Sequence, residues 1–147
     1  HLSSAELRAV AETDYQELAS LMLPKTETEF AELILDNLEI INSELSLVDQ
    51  EPKRPDTGVI PDAIAKNDQG KIIVIELKYH KAETKHRNQL EKLIAEYGGY
   101  ENAEGLLVTL DRDSKKEPQV SAERLTAEGN KDEEKFDIME FRSDTNS

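Results

Sequence analysis

Two hydrophobic periods divide the chain. Before residue 42 apolar residues recur every three or four positions; after residue 45 they alternate with polar ones or form short runs. Leu7, Ala11, Tyr15, Leu18 and Met22 follow the Ser3-x-x-Glu6 capping signature and predict a helix from Ser4 to Leu23, stopped by Pro24. Thr26-x-x-Glu29 opens a second helix, whose buried face is predicted to hold Phe30, Leu33, Ile34, Leu38 and Ile41.

Leu45 and Leu47 then alternate with polar neighbours before Pro52 and Pro55, which predicts a first strand near a sheet edge. Gly58 to Ala65 reads as a second strand and Lys71 to Tyr79 as a third, with Asn67-Asp68-Gln69-Gly70 as the hairpin turn between them. The run Ile72-Ile73-Val74-Ile75 does not alternate, so this third strand should be buried on both faces and lie centrally. Leu90, Leu93, Ile94 and Tyr97 predict a helix from Lys85 to Tyr97, ended by Gly98-Gly99. Gly105 to Leu110 reads as a fourth strand, reached from the third by a parallel crossover. Asp111 to Lys135 holds few large apolar residues and is expected to be a long loop, with Phe136 to Phe141 as an edge strand and a frayed tail. The expected fold class is α/β, a mixed sheet flanked by helices with an extra N-terminal helix. Three segments follow: a helical extension (1–25), a core (26–113) and a polar loop with a possible edge strand (114–147).

Composition narrows this picture. The chain has 147 residues, 37% of them hydrophobic and 34% charged, which suits one domain rather than a disordered chain. There is no cysteine, so disulfides and thiolate metal sites are ruled out. The longest aliphatic run has four residues, so neither a membrane span nor a membrane partner is expected, and a cytoplasmic location fits. Formal net charge is −14, which opposes approach to nucleic acid. The opposition is not uniform: between Lys78 and Lys92 five basic residues face two acidic ones, a local +3 on a remainder of −17.

Candidate chemistry sits in that same region. Asp62 lies between Ile60 and Ile64 on the second strand; Glu76 and Lys78 share one face at the end of the third. A carboxylate directly after four aliphatic residues is costly to bury unless it is paired or holds a cation. Two carboxylates and an ammonium at the end of one hairpin suit a divalent cation, Mg²⁺ or Mn²⁺, and a phosphate. Lys78, beside two carboxylates, acts as a fixed positive charge more than as a base. His80 and His86 have no partner at ligand spacing and are expected to be exposed. No phosphate loop, nucleophile elbow or dinucleotide fingerprint is present, so no organic cofactor is expected.

Pro61-Asp62 followed by Glu76-x-Lys78 resembles the PD-(D/E)XK nuclease superfamily, with its restriction-endonuclease-like fold. Within it the chain is most similar to the nuclease domain of the NucS (EndoMS) endonucleases. Asp56-Thr57-Gly58, the run GKIIVIELK at 70–78, Gln89-Leu90 and EGLLV from Glu104 carry the likeness, which spans Glu27 to Asp111. Pro61 is one departure from the family's G-x-I-D form. The resemblance implies an αβββαβ core and a metal-dependent DNA endonuclease acting on branched, mismatched or single-stranded DNA. It implies Asp62, Glu76, the Leu77 carbonyl and Glu29 as metal ligands, with Glu32 as the competitor to Glu29. Asp62, Glu76, Lys78 and Gln89 would then be the catalytic set, Gln89 steering water. Lys81, Lys85, Arg87 and Lys92 are candidates for the DNA backbone. A homodimer, with the first helix at its interface, is expected for cutting two strands. Two other readings remain: a junction resolvase of the same fold, and a nuclease-fold module whose acidic surface binds a protein partner.

Overall fold

The computed structural model describes residues 3–6, 23–50, 61–112 and 118–143. Of the expected first helix only its opening is among them, where Ser3 Oγ accepts the Glu6 N–H at 3.1 Å; the rest, and with it the expected dimer interface, lies outside. The second expected helix is two segments, α1 (Glu27–Asp36) and α2 (Leu38–Ile41), separated at Asn37. Asn37 is buried, and its side-chain amide donates to the Leu33 carbonyl at 2.8 Å, satisfying a helix-end acceptor where the turn opens.

Six strands form one sheet in sequence order: β1 (Ser46–Gln50), β2 (Ala63–Lys66), β3 (Ile72–Lys78), β4 (Ala103–Asp111), β5 (Gln119–Thr126) and β6 (Gly129–Asp137). Only β3 and β4 pair in parallel; the helix α3 (Thr84–Glu96) carries the chain between them. The result is a mixed α/β architecture with helices on both faces of the sheet. β1 is an edge strand exposed along its whole length, as expected.

β3 explains its own lack of alternation. Its odd residues Ile73 and Ile75 pack with Phe30, Leu33 and Ile34 of α1; its even residue Val74 packs with Leu90, Leu93 and Ile94 of α3. Both faces are therefore dry, and β3 sits between β2 and β4. α3 stops at Gly98 and Gly99, whose φ values of 102° and 76° need no Cβ. On β4, Gly105 lets α3 approach: a Cβ there would lie 2.8 Å from Ile94 and 2.9 Å from Leu90.

The C-terminal third differs from expectation. Positions 119–137 are two long strands, not a loop, and β6 ends at Asp137. Ile138–Ser143 is a helix, α4, rather than an edge strand, with Ile138 and Phe141 fully buried three positions apart. The reason is visible on β5. Val120 and Ala122 face the α1 side, but the opposite face presents Ser121 and Glu123, which are buried and polar. Each has a polar partner: Ser121 Oγ donates to Glu133 Oε1 at 2.8 Å, and Glu123 pairs with Arg87. A strand whose second face is polar but satisfied carries no apolar signature.

Candidate active site

The β2–β3 hairpin brings the two predicted carboxylates together. The β2–β3 ladder pairs Ala63 with Ile75 and ends there; Asp62, immediately before β2, lies near enough for its charge to act on Glu76. Two hydrogen bonds pin the strand end: Asp62 N–H donates to the Ile75 carbonyl at 3.1 Å, and Asp62 Oδ2 accepts the Leu77 N–H at 2.7 Å.

Glu76 is 2% exposed. Its Oε2 lies 3.7 Å from Lys78 Nζ, while Oε1 is buried with no hydrogen-bond partner among the described residues. Burial, and secondly the charge of Asp62, push the Glu76 carboxyl up to about 7; Lys78 opposes the rise only in part. A buried carboxylate oxygen left unsatisfied is costly, and such groups recur where a ligand supplies the missing partner. Two adjacent carboxylates with one free lone-pair site form a hard oxygen donor pair suited to a divalent cation. Among the described residues no group of three or more His, Asp or Glu side chains is placed to hold a metal.

The remaining predicted residues divide. Leu77 and Asp62 line a cleft of about 460 Å³ with Glu27, Glu32, Gln50 and Tyr79. Glu29 does not line it. Its Oε2 accepts the Lys25 N–H at 2.7 Å and its own N–H donates to Thr26 Oγ1 at 3.1 Å, so it caps α1. The acidic residues of α1 that line the cleft with Asp62 are Glu27 and Glu32. Gln89 is half-buried on α3, one turn after His86 and on the same face.

His86 is not exposed as expected. It is buried, its Nδ1 accepts the Glu83 N–H at 3.1 Å, and the pair forms a capping box at the start of α3. Burial first, then the charge of Lys78, hold its pKa below the ordinary histidine value. His80 is exposed, 3.7 Å from Glu27 Oε1.

Arg87, a candidate for the DNA backbone, is engaged within the fold. Its Nε and Nη2 donate to the two oxygens of buried Glu123 at 2.8 and 2.7 Å, a planar two-point pair. Lys81 lies 3.8 Å from Asp111, Lys85 3.2 Å from Glu83, and Lys92 is exposed on α3. The sequence reading passed over Glu123, although Val120 and Ala122 alternate around it. It also passed over Tyr79 and Arg112, whose guanidinium carbon lies 3.5 Å from the Tyr79 ring centroid.

Comparison with known proteins follows the same residues. A family model described as the endonuclease NucS C-terminal domain matches residues 26–132. Endonuclease NucS of Thermococcus kodakarensis is 36% identical over 99 residues, covering 65% of this chain and 36% of that protein. Endonuclease NucS of Pyrococcus abyssi is 35% identical over 99 residues, covering 65% of this chain and 37% of that one. The chain thus spans little more than a third of the length of the curated relatives it matches. A solved structure described as a repair endonuclease from Pyrococcus abyssi is 30% identical, with a TM-score of 0.45, over 59% of this chain and 38% of that one. The match over residues 26–132 covers most of the sequence, and the chain belongs to the endonuclease NucS C-terminal domain family.

Proposed function

We propose that this chain carries the cutting centre of a metal-dependent DNA endonuclease with a restriction-endonuclease-like PD-(D/E)XK core. The observation that supports this most is Glu76: a carboxylate buried at the end of a central strand, within reach of the charge of Asp62, with one oxygen unpartnered among the described residues. Asp62 and Glu76 would hold Mg²⁺ or Mn²⁺. Such a cation, once bound, supplies Lewis acidity toward a phosphoryl oxygen and an activated water.

The chain's own residues do the rest. Lys78, 3.7 Å from Glu76, offsets negative charge as it builds on the phosphate. The Asp62 bond to the Leu77 amide fixes the carboxylate, so little reorganisation is needed when substrate arrives. Gln89, half-buried on α3, would steer the attacking water. Lys81, Lys85 and Lys92 offer charge to the backbone on either side. Cleaving both strands needs two such centres, hence two copies of the chain. The DNA form cut is branched, mismatched or single-stranded.

The experiment is cleavage of a panel of flap, mismatch, junction and single-stranded DNAs with Mg²⁺ or Mn²⁺. The protein should nick at least one of them, and Asp62→Ala and Glu76→Ala should each lower the rate by at least about 10²-fold. Undiminished cutting by both variants refutes the proposal.

A further inference from the structure

Next to the cleft that holds Asp62, and sharing Tyr79 with it, lies a second concavity that the catalytic set does not use. It is about 390 Å³ and is lined by Tyr79, His80, Lys81, Glu83, Leu110 and Arg112. It begins one residue past Lys78, and Lys81 is three residues on, so their Cα atoms are at most about 11 Å apart along the chain.

Its floor is pre-built. The Tyr79 hydroxyl donates to the Pro24 carbonyl, and the ring packs 5.9 Å from Phe30, so the aromatic plane is fixed from beneath. The Arg112 guanidinium lies over that ring at 3.5 Å. A guanidinium stacked this way keeps its in-plane N–H groups for a phosphate and presents its outer face to a flat partner. Arg112 is otherwise exposed. Lys81 extends the cationic wall, with its Nζ 3.8 Å from Asp111; Glu83 is the opposing acid and is engaged by Lys85 at 3.2 Å. Flat stacking, in-plane donors and positive charge in one fixed recess match a nucleotide of an unpaired strand: base on the guanidinium, phosphate on Arg112 and Lys81.

We propose that the Tyr79–Arg112 stack and Lys81 form a subsite for one unpaired nucleotide flanking the linkage that is cut. This rests on the nuclease reading for its biological use but not for its test. The full chain in EDTA is titrated against two fluorescein-labelled single strands of roughly 12 nucleotides, an oligothymidylate and an abasic oligomer of equal length, followed by anisotropy. Wild type should bind the oligothymidylate more tightly. Arg112→Ala should weaken that binding on the order of tenfold. Arg112→Lys keeps the charge, so it should match wild type on the abasic strand yet stay weak on oligothymidylate. Lys81→Ala should weaken both strands alike and flatten the salt dependence. The subsite is overturned if Arg112→Ala stays within about twofold of wild type, if Arg112→Lys restores oligothymidylate binding, or if wild type binds neither strand. Absence of cleavage by wild type with metal, alongside intact binding, would refute the nuclease reading and leave the subsite standing.

Discussion

Arg87 and Glu123 join α3 to β5 through two hydrogen bonds of 2.8 and 2.7 Å, and Glu123 is 5% exposed. The pair lies in the row that runs across the sheet from Glu76 through Leu107, so it fixes the helix that carries His86 and Gln89. Removing the guanidinium takes the two-point partner from a buried carboxylate. Arg87→Ala should therefore cost about 3 kcal/mol in urea unfolding, more than an exposed ion pair would explain. Replacing both partners with leucine should recover most of it, which a double-mutant cycle would show. A cost below about 0.5 kcal/mol for Arg87→Ala would mean that the pair is only a surface contact.

Glu76 makes stability depend on pH in an unusual direction. Its folded carboxyl is raised to about 7 from 4.5, so the folded chain holds a proton that the unfolded chain has released. The protonated form stabilises the fold fully below about pH 4.5, and this contribution fades as pH rises through about 7. Metal-free protein should thus lose on the order of 2–3 kcal/mol between pH 5 and pH 8 relative to Glu76→Gln, which cannot ionise. Equal pH dependence in the two proteins would show that the carboxyl titrates normally. Denaturant midpoints across that range measure it.

How far the fold was legible depended on what each strand buries. Ile72 to Ile75 announced a central strand because both of its faces meet apolar helices, α1 through Phe30 and α3 through Leu90. The burial of Glu76 was legible for the same reason: it follows directly on that apolar run. β5 and β6 were not, since Ser121 and Glu123 give the inner face of β5 a polar sequence and their partners, Glu133 and Arg87, are distant along the chain. Periodicity records local burial, and a buried polar face is defined only by its partners. The pairing of Arg87 with Glu123 was hidden for the same reason. His86 was misread because its capping role depends on the Glu83 amide rather than on any motif.

Gly105 tests how tightly α3 is set against β4. A methyl group there would sit 2.8 Å from Ile94 Cδ1 and 2.9 Å from two Leu90 carbons, all on fully buried side chains. Those side chains have no free space to yield, so Gly105→Ala should destabilise by about 1–3 kcal/mol by overpacking. Gly105→Ala combined with Leu90→Ala makes room and should cost less than the two single changes summed. Simple additivity in thermal unfolding would show that α3 can slide.

Glu29 and Glu32 separate a structural acid from one that faces the cleft. Glu29 accepts the Lys25 N–H at 2.7 Å, so Glu29→Gln, which keeps an acceptor, should change stability by less than about 0.5 kcal/mol, and Glu29→Ala should cost about 1. Neither should alter cation affinity. Glu32 lines the cleft with Asp62, so its charge raises the local negative potential without contributing a ligand in this geometry. Glu32→Gln should weaken Mn²⁺ binding by a few-fold, on the scale of one screened charge near a surface. Asp62→Asn and Glu76→Gln should remove it altogether. Thermal shift reads all five variants, because a ligand bound only by the folded chain raises stability by RT ln(1 + [L]/Kd), about 2.7 kcal/mol at a hundredfold excess over Kd. If Glu29→Ala abolished the Mn²⁺ shift while Glu32→Gln left it intact, the cap would have to open to ligate, and the assignment of the two acids would reverse.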